Sequence, residues 1–243
     1  MTSKFEIKPF PVDHTELDPR FNHIDTDYFP LPPFRAVVVG PSGGRKTSLM
    51  FSLLNSKQAY KNVFDMIIIF TPSVDENEGY AKLNTSKTTV QVINKFTLKE
   101  IEDYYNTLVQ AQQARKNKDK SLFNYLFIFD DLASSGISKK HSVNILDTIY
   151  FNGRHSNISC FFATQSYTAI NQNMRCLNVH LVAVLPSVNL KDLKKIAEEH
   201  AGNRTPEEFI TLFNKCAQDK QPLIINYKNS FDKRLNKGFN EIL

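Results

Sequence analysis

Tryptophan is absent from this 243-residue chain, cysteine occurs three times and glycine only eight times. The missing tryptophan excludes nothing, because nineteen phenylalanines and nine tyrosines can fill a core. Cys160, Cys176 and Cys216 are widely spaced and form no C-x-x-C pair. That argues against a zinc site and against a disulfide framework, and makes a reducing compartment the expectation. Apolar runs such as MIIIF are far too short to span a bilayer, and the opening MTSKFEIKPF has no apolar signal core. A soluble intracellular protein is expected. There is no internal repeat and no low-complexity tract.

What is present suits a folded domain. The hydrophobic fraction is 41%, and the length fits one α/β domain with additions, or two small ones. Thirty basic residues against twenty-five acidic ones give a net charge of +5. Such a balance is compatible with a polyanionic partner without identifying one.

The order of patterns along the chain points to alternating strands and helices. Residues 1–33 are rich in proline and charge and end in YFPLPPF, so they read as an extended arm on the surface. RAVVVG is a short β-branched run stopped by Gly40, as expected of a buried parallel strand. KTSLMFSLLNSKQ then has helical periodicity. Strands follow at MIIIF, TTVQV, YLFIFD, ISCFFAT, VHLVAV and PLIINY. Between them lie helical patterns in LKEIEDYYNTLVQAQQARK, in SVNILDTIYFNGRH up to Gly153, in LKDLKKIAEEHAG, and in PEEFITLFNKCAQ after a Thr205 cap and Pro206. This alternation predicts a mostly parallel sheet with helices on both faces. The expected organisation is an arm over 1–33, a core domain over 34–230 and a basic tail over 231–243.

Chemistry concentrates in three segments. In VVVGPSGGRKTSLM, a strand leads through a glycine-containing turn into a helix, the context a phosphate-binding loop needs. Gly40, Pro41, Ser42, Gly43, Gly44, Arg45, Lys46, Thr47 and Ser48 are the candidate nucleotide contacts. Backbone N–H groups would form a nest for phosphate, Lys46 would reach the β- and γ-phosphates, and Thr47 would offer its hydroxyl to Mg2+. An ordinary glycine turn is the plainer alternative. Arg45 stands where the spacing asks for glycine, and positive φ there costs a non-glycine residue roughly 1–2 kcal/mol.

In YLFIFDD, a buried strand ends on two acids. Asp130 would hold the magnesium shell and Asp131 would act as general base toward water. The doubled acid points to P-loop ATPases with an extra strand between the loop strand and the acidic strand, and MIIIF and TTVQV leave room for it. In FNGRHSNISCFFATQSY, Gln165 ends a strand where it could sense the γ-phosphate or its water. Arg154 and Arg175 are both candidates for an arginine finger supplied by a neighbouring subunit. His155 has no ligand-spaced partner, so a structural role is expected for it.

These segments, together with INQNMRCLNVHLVAVLP, resemble the genome-packaging ATPases of large DNA viruses, virophages and Maverick-type elements, within the FtsK/HerA superfamily of P-loop motors. The resemblance covers residues 35 to 230, roughly, and Arg45 departs from it. It implies a three-layer α/β P-loop NTPase of the additional-strand, RecA/FtsK-like type, using ATP and Mg2+. It also implies a homo-oligomeric ring that translocates double-stranded DNA into a capsid, with capsid or portal-vertex proteins as partners, in the host cytoplasm or viral factory. The basic segments 115–120 and 138–141 are candidate DNA contacts, and a solvated charge run also explains the first. Two alternatives remain open at this stage. One is a catalytically impaired assembly factor of the same fold. The other is a P-loop kinase, although the NMRCLN segment is too short and arginine-poor for a kinase lid.

Overall fold

The computed structural model describes residues 18–73, 77–131 and 145–243. A nine-stranded sheet runs through the chain in the order β3-β2-β4-β5-β1-β6-β7-β8-β9. The first six positions are parallel: β1 (Arg35–Val39), β2 (Met66–Phe70), β3 (Thr89–Ile93), β4 (Tyr125–Asp130), β5 (Ile158–Thr164) and β6 (Leu181–Val184). β7 (Leu223–Asn226), β8 (Leu235–Lys237) and β9 (Glu241–Ile242) continue the sheet antiparallel. The mostly parallel α/β expectation holds.

Period-two alternation in fully buried strands divides the core into two layers. Val37, Val39, Phe127, Phe129 and Phe162 face one side, with α3 (Leu98–Lys116), α4 (Ile145–Asn152), α5 (Leu190–His200) and α6 (Pro206–Gln218). Ala36, Val38, Leu126, Ile128 and Phe161 face the other, with α1 (Lys46–Asn55) and α2 (Asn77–Ala81). Helix ends follow the sequence signals. Thr97 with Glu100 and Thr205 with Glu208 form capping boxes, Pro206 opens α6, and Gly202 lies at φ 70° just past α5.

Three organisational expectations change. The strand inserted between the loop strand and the acidic strand is β5, whereas MIIIF and TTVQV lie beyond β4 at the sheet edge. The 231–243 stretch is no free tail, since β8 and β9 pair in the sheet and Leu235 and Asn236 are buried. The described part of the arm, 18–33, buries Phe21, Ile24 and Phe29 under the α1 layer, and Phe29 stacks on Phe239 with centroids 4.9 Å apart. Residues 18–33 and the turn between β8 and β9 therefore close one face together.

Candidate functional site

In a parallel sheet the loops at the carboxyl ends of the strands share one edge, where α/β folds bind ligands. Here β1, β4 and β5 bring their ends together. Val39 is level with Thr164, and Asp130 with Ala163. Gly40 N donates to Thr164 O at 3.1 Å, and Asp131 N to Ala163 O at 3.0 Å. Segments far apart in sequence are thus locked edge to edge.

The loop after β1 turns tightly, with Gly44 N donating to Pro41 O at 3.0 Å. Gly43 has φ 68° and Arg45 φ 69°. Gly40 admits no side chain, because a Cβ there would come within 2.7 Å of Leu185 Cδ1. Arg45 adopts the left-handed conformation that costs a non-glycine residue roughly 1–2 kcal/mol. Its side chain is exposed and lines a neighbouring cleft of ≈ 500 Å³, beside Ser48, Ser187 and Lys220.

Lys46 opens α1 and is 7% exposed, its Nζ donating to the carbonyls of Gly40 and Pro41 at 3.0 Å each. One residue on, Thr47 Oγ1 donates to Asp130 Oδ2 at 3.0 Å. The hydroxyl and the carboxylate are hard oxygen ligands placed together at a helix N-terminus, a donor set that fits Mg2+ escorting phosphates. Asp131 follows at φ 56° and accepts from Gln165 Nε2 at 2.7 Å. Burial pushes the Asp131 carboxyl up, against the Gln165 hydrogen bond and the Lys46 charge, and the Asp130 charge pushes the same way as burial. A raised carboxylate is the better base. Lys46, Thr47, Asp130, Asp131 and Gln165 are therefore one constellation.

The two arginines separate. Arg175 lies in a π-helical turn, Asn173–Leu177, and is 7% exposed. Its guanidinium holds Glu199 through Nε at 2.9 Å and Nη2 at 2.7 Å, and donates to Ile170 O at 2.7 Å. With those groups committed inside the subunit, Arg175 is not a finger for a neighbour, and that expectation is corrected. Glu199 also accepts from Tyr167 OH at 2.6 Å and Cys176 Sγ at 3.0 Å. Burial would raise the Glu199 carboxyl, but hydrogen bonds from Arg175, Cys176 and Tyr167 outweigh it and hold it at about 2. Cys176, Glu199 and His200 are close enough to suggest a metal site, yet the guanidinium already supplies the cation.

Arg154 is exposed in the turn before β5, its Nε donating to His155 Nε2 at 3.3 Å. From there to Gln165 the chain runs the length of β5, roughly 20 Å at 3.3 Å per residue. Arg154 therefore cannot serve its own subunit's site. Of the basic segments, 138–141 lies outside the described residues. In 115–120, Arg115 is spent locally, donating to Ser121 O at 2.6 Å and lying 3.8 Å over the Phe123 ring, and Lys116 donates to His155 O at 2.9 Å. Lys118 and Lys120 are exposed.

Tyr80, on α2, is a site residue that sequence reasoning missed. Fully buried, it donates to Asp130 Oδ2 at 2.6 Å and stacks on Phe51. The five-residue α2 has no strong periodic signal, and only the sheet order carries it over the acidic strand.

The poxvirus A32 protein family matches residues 22–236. No curated protein matches the chain in sequence. Among solved structures, the DNA-packaging ATPase B204 of Sulfolobus turreted icosahedral virus is 14% identical, with a TM-score of 0.54, over 81% of this chain and 94% of its own. B204 of Sulfolobus turreted icosahedral virus 2, solved with AMPPCP, is 16% identical, with a TM-score of 0.51, over 82% and 95%. The pCW3 conjugation coupling protein TcpA is 16% identical, with a TM-score of 0.51, over 83% of this chain and 58% of its own. The fold is that of the P-loop NTPases, and the chain belongs to the poxvirus A32 protein family.

Proposed function

We propose that this chain is the ATP-driven motor that moves double-stranded viral DNA into a preformed capsid. The observation that carries the reading is the convergence of Lys46 and Thr47 with Asp130, Asp131 and Gln165 on one sheet edge. That edge combines a phosphate nest, hard ligands for a divalent cation and a carboxylate base with its own orienting amide. Family membership and the packaging-ATPase fold support the DNA side of the reading.

Each residue then has a task. Backbone N–H groups from Gly43 to Thr47 hold the β- and γ-phosphates of ATP, and Lys46 leaves its two carbonyl partners to lie along them. Thr47 and Asp130 would hold Mg2+, which would supply charge neutralisation at the phosphate oxygens. Asp131 takes the proton of the attacking water, and Gln165 orients both the carboxylate and the water. Arg154 belongs to the site of the next copy. An exposed cation at the far end of the strands is useful only head to tail, and head-to-tail contacts that close generate rings. Arg45 points into the adjoining cleft, so the loop offers no support for an inert assembly factor. Capsid or portal-vertex proteins are the expected docking partners, in the host cytoplasm or viral factory. The test is magnesium-dependent ATP hydrolysis, with and without duplex DNA.

A further inference from the structure

A second polar cleft lies at the opposite end of the sheet from the phosphate loop. It measures ≈ 420 Å³ and is lined by Arg20, His23, Lys57, Lys61, Asn62 and Lys87. Its place follows from the topology. α1 starts at the phosphate loop and carries the chain away from it, delivering Lys57 and Lys61 at the amino end of β2. Lys87 lies two residues ahead of β3, and Arg20 reaches Asp65 just ahead of β2.

The lysine charges are concentrated around one opening. Arg20 is paired with Asp18 at 2.7 Å and Asp65 at 2.8 Å. Lys57, Lys61 and Lys87 are exposed and make no ion pair among the described residues. Three ammonium groups around one cleft repel each other, and an entering polyanion relieves that repulsion.

The walls are built to stay in place. Ala59, Tyr60, Val63 and Phe64 are buried beneath the two lysines of the α1–β2 loop. Tyr60 N donates to Leu53 O and Lys61 N to Ser56 O, both at 3.1 Å. Thr85 Oγ1 accepts from Lys87 N at 3.2 Å, and Thr88 Oγ1 ties this turn to Phe64 O at 2.8 Å. The lysine-bearing loops are thus joined to one another.

We infer that this cleft grips the phosphodiester backbone of duplex DNA. The inference rests on the motor reading above, which supplies the DNA. Among the described residues no apolar side chain lines the cleft, which offers charge and not the buried anchor that a protein partner needs. Lysines recognise phosphate as point charges and read no base edges, which suits a track of any sequence.

The test compares wild-type protein with the Lys57→Gln/Lys61→Gln/Lys87→Gln variant. A charge-matched control carries Lys191→Gln, Lys194→Gln and Lys215→Gln on α5 and α6. Binding of a fluorescent duplex is titrated across salt concentrations, and DNA-free ATP hydrolysis and the melting temperature are measured in parallel. The cleft variant should lose about tenfold or more in affinity. Its log–log salt slope should shrink by roughly 2 to 3, at about 0.9 per phosphate contact. Hydrolysis without DNA and melting should be unchanged, and the control should bind like wild type. Equal losses in both variants, or none in the cleft variant while wild type still binds DNA, overturn the cleft and leave the motor standing. Loss of binding to polyglutamate with duplex binding intact overturns it in favour of an acidic protein partner. A wild-type protein that binds no duplex and hydrolyses ATP indifferently to it overturns both readings.

Discussion

Asp130 Oδ2 accepts two hydroxyls, one from Thr47 on the phosphate-loop helix and one from Tyr80 on α2. Removing the second leaves a buried carboxylate oxygen with a poorer partner set, which costs about 2 kcal/mol for a hydrogen bond to a charged acceptor. Tyr80→Phe should therefore lower the unfolding free energy by that amount in a denaturant titration. It should also raise the magnesium concentration needed for half-maximal hydrolysis. Arg45 gives the opposite stability sign. Glycine there relieves left-handed strain but adds unfolded-chain entropy, a net gain of at most about 1 kcal/mol. Nucleotide affinity by calorimetry should stay close to wild type in Arg45→Gly, because the guanidinium lines the adjoining cleft and not the phosphate nest. A rise in affinity would mark the arginine as a handicap. Lys46, Thr47, Asp130, Asp131 and Gln165 were legible in sequence because their chemistry is tied to strand ends. Tyr80 was not, since its partner lies fifty residues away.

Elements rather than single residues separate the two arginines. Arg175 is a brace between the π-helical turn and the end of α5, with both partners in its ion pair under a tenth exposed. Arg175→Ala should cost about 3–5 kcal/mol by stranding the Glu199 carboxylate. Arg154→Ala should leave melting unchanged and abolish turnover. Mixing Arg154→Ala with Lys46→Ala should then restore part of the activity, because the proposed ring would pair an intact loop with an intact arginine from different copies. No recovery on mixing would place the finger elsewhere. The two arginines look alike in sequence, since both sit near turns in the same stretch; only the position of α5 decides between them. Strand order was likewise beyond periodicity. A fully buried run shows that a strand is central, but not that β5 inserts between β1 and β4. The three-residue β8 buries mainly Leu235 and Asn236, too short a pattern to stand out in a basic stretch.

Across the described residues, the carboxyl edge of the sheet holds the constellation proposed to bind nucleotide, and the amino edge holds Arg154 and the lysine cleft. Such polarity is what a head-to-tail ring requires. Acid should dismantle this arrangement in two stages. Burial holds His200 and His180 down at about 4, so they stay neutral in the folded state while the unfolded chain takes up protons from 6.5 downward. Stability is complete above pH 6.5 and declines toward pH 4, with His200 alone accounting for a loss on the order of 3 kcal/mol. Glu199, held at about 2, adds a further loss between 4.5 and 2. Denaturant titrations at stepped pH should show both stages, and His200→Gln should roughly halve the first, leaving the share of His180. No helix among the described residues is long and apolar enough to cross a membrane. The measurement closest to the central claim is the rate of magnesium-dependent ATP hydrolysis by purified protein as duplex DNA is added. The account predicts a several-fold rise that Lys46→Ala abolishes; a rate indifferent to DNA, or one that survives loss of Lys46, contradicts it.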